Sequence, residues 1–328
     1  MCAAGIGRYR AGVATYGMTL SSEEHPPRRL LHIARLAEES GFEFLSISDH
    51  FHPWLDEQGH SPFVWSVLGA LAETTSLDVV TGVTCPTVRV HPAILAQATA
   101  TTAALFEGRF SWGVGSGEAL NEHILGDRWP PAPVRLEMLE EAIGLVRELW
   151  KGESVTHYGE HYTDENARIY DDAEHPPAIP VSAFGPLAAD VAARAGDGLI
   201  VTGPSKEIID RWRQAGGSGP VYGQVTLGWA ESRDDAVETA HRIWRTSGVP
   251  GQLSQDLPTP THFDQAASIV TPAMIAESEL VGPDPEPVAE RVGEMVAAGV
   301  DHIYFHQIGP DQEGFAAFWT DSLEAALT

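Results

Sequence analysis

Residues 27–48, PRRLLHIARLAEESGFEFLSIS, set two signals end to end. Leu30, Leu31, Ile33, Ala34, Leu36 and Ala37 recur at helical spacing, Gly41 stops the run, and residues 42–48 read as a strand. The alternation continues outward in both directions. Strands are expected at 11–16, 42–48, 77–84, 109–114, 179–183, 198–202, 221–229 and 302–306. Helices are expected at 27–40, 64–74, 92–105, 134–150, 186–195, 206–215, 234–244, 285–298 and 314–326, with Pro92 suited to a first turn. Eight strands, each followed by a helix, argue for an α/β fold, a (β/α)8 TIM barrel, formed by one domain over residues 1–328. An open doubly wound sheet permits the same order. It loses its best marker, because Tyr16-Gly17-Met18-Thr19 is no glycine-rich dinucleotide fingerprint. Long connections at 115–133, 151–177 and 248–282 have the length of segments that cap active sites.

Composition narrows the partners. The 328 residues include 46 acidic and 20 basic side chains, a formal net charge of −26, which argues against nucleic acid. Surface solvation is the simplest account of the acidic excess. Two cysteines, Cys2 and Cys85, make neither a disulfide framework nor a cysteine-rich zinc site, so a reducing cytoplasm is the expected location. No apolar run approaches the roughly 18 to 20 residues that cross a bilayer. No export signal is read at the N-terminus.

Chemistry in a barrel sits where strands end. After the second strand, Ser48-Asp49-His50-Phe51-His52-Pro53-Trp54 gathers a carboxylate, two imidazoles and an indole. A histidine there suits proton transfer, and a carboxylate can orient its ring or a cofactor heteroatom. After the third, Gly82, Val83, Cys85 and Pro86 suggest an irregular backbone, with Cys85 a packed, unreactive thiol. After the fourth, Gly113, Gly115 and Gly117 let backbone approach a flat or anionic ligand, while Glu118 and Asn121 share one face of a helical turn. Ser116 lies within that loop. After the fifth, Phe184-Gly185-Pro186 opens a helix whose free N–H groups can hold a phosphate without basic side chains. No nucleophile elbow and no H-E-x-x-H metal motif occur, so no metal is expected.

The segments S-D-H-F-H-P-W at 48–54, G-S-G-E-A-L-N-E at 115–122, S-A-F-G-P at 182–186 and A-G-D-G at 195–198 resemble the luciferase-like superfamily. Within it, the chain is most similar to the oxidoreductases related to glucose-6-phosphate dehydrogenase that use coenzyme F420, a deazaflavin. The resemblance runs from about residue 11 to 325. It implies a homodimer with the deazaflavin across the strand ends, Asp49 against its ring, and His50 taking the substrate hydroxyl proton. Trp54 would wall the transfer site, Glu118 would serve the ring as acid, and Glu23 falls at another acidic position. Gly82-Val83 corresponds to a non-prolyl cis peptide. Cys85 stands where a threonine is common, Ser116, Gly117 and Asn121 would hold the cofactor, and Phe184, Gly185, Leu187 and Ala188 would surround its phosphate. Sugar-phosphate members bind the substrate phosphate with a threonine, two lysines and an arginine; here those places read Thr202, Ser205, Gln265 and Ser278. A small-molecule, non-phosphorylated alcohol or carbonyl substrate is therefore expected, with glucose 6-phosphate disfavoured. An FMN-dependent oxidoreductase or monooxygenase of the same superfamily, and a non-catalytic deazaflavin or flavin carrier, are the alternatives.

Overall fold

The computed structural model describes residues 14–171 and 175–327. In chain order its strands are β1 (Thr15–Leu20), β2 (Phe44–Ile47), β3 (Asp78–Thr81), β4 (Phe110–Ser111), β5 (Val155–Tyr158), β6 (Thr163–Ala167), β7 (Pro180–Ser182), β8 (Gly198–Val201), β9 (Val221–Gly228), β10 (Leu280–Val281) and β11 (His302–Gln307). Parallel pairing runs β4-β3-β2-β1-β11-β9-β8-β7, with β10 added to β9. Between the two ends of that order, Trp112 N–H donates to the Ala178 carbonyl at 2.8 Å and Ser182 N–H to the Val114 carbonyl at 2.8 Å. The ring therefore closes through parallel bridges at Ser111–Ala178 and Val114–Val181. The result is a TIM barrel, as the alternation predicts.

The strands are short because their ends bend into site loops. Regular pairing of β4 stops at Ser111: a Cβ on Gly113 would lie 1.9 Å from the Thr81 carbonyl oxygen, and the Thr81 hydroxyl and Thr84 N–H both donate to the Gly113 carbonyl, at 2.9 and 2.8 Å. The first strand differs from expectation. It lies at Thr15–Leu20 rather than 11–16, and residues 11–13 are outside those described. Gly17, which weakens a strand pattern, is required here: a Cβ would lie 2.7 Å from the Phe44 ring that crosses the barrel interior beside Val80, Ile200 and Tyr304.

Helices Pro27–Glu39, Val64–Ala72, Pro92–Phe106, Ala132–Leu149, Pro186–Ala195, Lys206–Gln214, Arg233–Trp244 and Glu286–Ala298 wrap the ring. The insertion at 151–177 contains the antiparallel β5–β6 hairpin. The one at 248–282 folds as helices Leu253–Asp256, Pro260–Ala267 and Pro272–Ser278. Two of these start at prolines capped by the Thr259 and Thr271 side chains. A separate core of Leu55, Leu120, Ile243, Val249, Phe263, Val270, Ile275 and Ile308 seats this insertion beside the barrel mouth. No helix among the described residues is long and apolar enough to cross a membrane.

Candidate active site

The C-terminal ends of β1, β2, β9 and β11 surround a cavity of about 340 Å³, near the small end of the usual range for ligand pockets. Glu23, Ser48, His50, Trp54, Gly82, Gln224, Trp244, Thr246, Phe263 and His306 are among the residues that line it. No lysine or arginine is among its lining residues.

His50 is held in one orientation. Its Nδ1 lies 3.1 Å from the His52 carbonyl oxygen, which can only accept, so Nδ1 carries the hydrogen and Nε2 is the atom free to exchange a proton. That Nε2 lies 3.2 Å from Glu23 Oε1 and 3.6 Å from Glu118 Oε1. Burial pushes the Glu23 carboxyl up, but the His50 charge and the Ser48 hydroxyl outweigh it and hold the group below the usual carboxylate range. Ser48 donates to Glu23 Oε2 at 2.5 Å and is itself fixed by Ser22 N–H at 2.9 Å.

Asn121 ties the histidine loop to Glu118. Its Oδ1 accepts from the N–H groups of Phe51 and His52 at 2.8 and 3.0 Å, and its Nδ2 donates to Glu118 Oε1 at 2.6 Å. Both ends of the amide are thus engaged inside the protein. Trp54 stands edge-on to His50, ring centres 5.2 Å apart, and edge-on to Phe263 at 5.0 Å, forming an apolar wall.

Asp49 is buried and is not among the residues lining the cavity. Its Oδ1 accepts from Arg89 Nη2 at 2.9 Å, and the Arg89 Nε lies 3.5 Å from Glu122 Oε1. Glu122 is fully buried and accepts from the Val88 and Arg89 N–H groups through Oε2, at 3.2 and 2.7 Å. Burial pushes its carboxyl up to about 7, against those donors and the Arg89 charge, with the Glu118 charge adding to the push. Arg89 and Glu122 were not singled out by the sequence. Cys85 is buried nearby, its thiol pushed well up by burial and by the carboxylates of Glu118 and Glu122, which makes it inert at neutral pH.

The Gly82–Val83 peptide bond is cis, and Gly117 has φ of +81°. Ser116 and Gly117 are partly accessible on their loop. Phe184 and Leu187, flanking the start of helix Pro186–Ala195, are 65% and 57% exposed, and no side chain caps that helix at Gly185. The four residues expected around a substrate do not line the cavity. Thr202 is exposed beyond β8, Ser205 begins helix Lys206–Gln214, and Gln265 and Ser278 are exposed. Helix Pro260–Ala267 turns Phe263 inward, which carries Gln265, two positions later, to another face. Thr246, Ser247, Val249 and Ser254 line it instead. A depression of about 400 Å³ beside Arg147, Trp150 and Lys151 includes Ala178 and Asp197, just before β7 and β8, and so lies at the opposite end of the barrel.

A family model described as luciferase-like monooxygenase matches residues 11–302. Two F420-dependent glucose-6-phosphate dehydrogenases are 35% identical to the chain: that of Microbacterium testaceum, covering 94% of this chain and 96% of its own length, and that of Mycolicibacterium smegmatis, covering 95% and 97%. An F420-dependent secondary alcohol dehydrogenase, solved with an F420-acetone adduct, superposes with a TM-score of 0.88 at 28% identity over 96% of this chain and 99% of that one. The coenzyme F420 dependent tetrahydromethanopterin reductase of Methanopyrus kandleri, at 21% identity and a TM-score of 0.75 over 96% of this chain and 100% of that one, shares the fold. With its match across most of its length, the chain belongs to the luciferase-like monooxygenase family.

Proposed function

We infer that the protein is an F420-dependent oxidoreductase acting on a neutral alcohol or the corresponding carbonyl compound. The observation that carries the substrate class is the lining of the cavity, which presents the His50 imidazole beside the Glu23 carboxylate and contains no lysine or arginine to meet a phosphate. The residues present fit the coenzyme. The first N–H groups of helix Pro186–Ala195, those of Leu187 and Ala188, have no side-chain cap, and the buried Thr19 hydroxyl on the cavity wall has no partner. Phe184, Gly185, Leu187 and Ala188 would hold a phosphate of the coenzyme, and Ser116 and Gly117 would lie along it. When bound, a deazaflavin supplies a two-electron hydride acceptor or donor.

The chain's own groups manage the proton. His50 Nε2 accepts the hydroxyl proton of an alcohol, and the negative charges of Glu23 and Glu118 stabilise the resulting imidazolium. In the reverse direction the imidazolium returns that proton to a carbonyl oxygen. Trp54 and Phe263 cover the apolar side and exclude water.

The 35% identity to glucose-6-phosphate dehydrogenases favours a sugar phosphate as the second reading. Parallel titrations with F420 and FMN, followed by anaerobic exposure to secondary alcohols and to glucose 6-phosphate, separate the two. Tight F420 binding and bleaching of its oxidised absorbance by secondary alcohols is the expected result. Preference for FMN with oxygen consumption, or a higher kcat/KM for glucose 6-phosphate than for any neutral alcohol, overturns the assignment.

A further inference from the structure

We propose that the cavity is built for a neutral substrate bearing a second hydroxyl group, and that His306, held by Glu24, is the residue that receives it. This deepens the dehydrogenase reading above and rests on it. The cavity contains two imidazole–carboxylate pairs made from adjacent residues of one loop. Glu23 faces His50; Glu24 Oε1 lies 2.9 Å from His306 Nε2. The Ser21 hydroxyl lies 3.2 Å from a carboxylate oxygen of each glutamate, and Glu24 Oε2 accepts from Gly309 N–H at 2.7 Å. His306 and Glu24 are both deeply buried, and Trp244 stands edge-on to the His306 ring with centres 4.5 Å apart.

The two pairs differ in what is left over. The Glu24 carboxylate accepts, so in neutral His306 the hydrogen sits on Nε2 and Nδ1 is an acceptor. Nδ1 has no hydrogen-bond partner among the described residues, although His306 lines the cavity. The neighbouring wall has further spare capacity. Gln224, on β9 beside β11, donates through Nε2 to Thr226 at 2.8 Å and keeps its carbonyl oxygen. A simple alcohol engages His50 and turns hydrocarbon toward these groups, which leaves them desolvated and unpaired. A second hydroxyl on the substrate donates to His306 Nδ1, and Trp54, Trp244 and Phe263 cover the carbon skeleton. The polyol is thus recognised by a polar post that takes no part in the proton transfer.

The matched substrates 2-butanol and 2,3-butanediol test this with the F420-loaded protein. The wild-type kcat/KM is expected to favour the diol by roughly 10-fold or more. His306→Phe, which keeps an aromatic ring and loses both nitrogens, lowers kcat/KM for the diol by about 10- to 100-fold and brings the ratio toward one, and His306→Gln restores part of it. Tryptophan fluorescence of the wild-type protein, with Trp54 and Trp244 in the cavity, gives a binding readout independent of turnover and shows the tighter dissociation constant for the diol. Equal kcat/KM for the two alcohols in the wild type, or an equal loss for both in His306→Phe, overturns the inference while leaving the dehydrogenase reading intact. Failure to oxidise any alcohol with F420 bound overturns both.

Discussion

Asp49 and His50 sit side by side after β2, yet the Asp49 carboxylate turns beneath Arg89, which donates to it at 2.9 Å, while the His50 imidazole faces the cavity between Glu23 and Glu118. Both belong to a dense polar motif, and burial alone does not separate them, since Asp49 is 4% exposed and the His50 side chain 12%. What separates them is what each side chain faces. Asp49 Oδ1 is paired with the Arg89 cation, whereas His50 has one nitrogen committed to a backbone carbonyl and the other on the cavity wall facing the carboxylates of Glu23 and Glu118. A side chain paired with a buried cation fixes the loop, and a titratable side chain on a cavity wall is placed to act on what enters it.

The strongest way to break this division is His50→Ala. The kcat for alcohol oxidation is expected to fall by about 10²- to 10⁴-fold, the usual worth of a positioned general base, while the F420 dissociation constant stays within a few-fold. Anaerobic stopped-flow reduction of the bound coenzyme checks the first, and fluorescence titration the second. Turnover near the wild-type rate removes His50 from the proton path.

The opposite test is Arg89→Met, which leaves the buried Asp49 and Glu122 without their shared cation. The variant is expected to lose about 3 to 5 kcal/mol of stability by urea denaturation, because two desolvated carboxylates then face each other across an apolar side chain. A loss under about 1 kcal/mol would place Arg89 among groups that solvent screens as well as the protein does.

The barrel was legible because parallel strands covered by helices on the outside read as short, nearly continuous apolar runs: β2 and β8 are buried at every position. β1 was misplaced because Gly17 and two threonines interrupt the run, and their reason, the Phe44 ring crossing the interior, is a tertiary fact. The insertion helices left a local signal that went unread, the Thr-Pro pairs at Thr259-Pro260 and Thr271-Pro272, each a cap followed by a residue with no N–H to satisfy. At the site, His50, Glu118, Trp54 and Glu23 come together, although Glu118 and His50 are far apart in the chain. The Arg89 network was invisible: its guanidinium reaches Asp49 40 positions back, and no periodicity encodes that. The residues that line the cavity contrary to expectation are likewise set by tertiary structure. Gln265 belongs to a helix whose inward face is set by Phe263, a matter of rotation that composition leaves open.

Glu122 sharpens the comparison, since it is buried like Asp49 and yet keeps Oε1 without a hydrogen bond. Its carboxyl stands at about 7 in the folded protein against an ordinary glutamate value of 4.5. Below about 4.5 it is protonated in both folded and unfolded chains, and its contribution to stability is fully present. As pH rises toward 7 the unfolded chain releases the proton first, so that contribution is progressively lost, and above 7 it is gone. Glu122→Gln has no proton to release. Its stability relative to the wild type is therefore expected to rise by about 1 to 3 kcal/mol between pH 5 and pH 8, read from paired urea denaturation curves at each pH. A constant offset between the two proteins across that range would mean that Arg89 keeps Glu122 ionised throughout, and Glu122 would then join Asp49 as a charge paired with that cation.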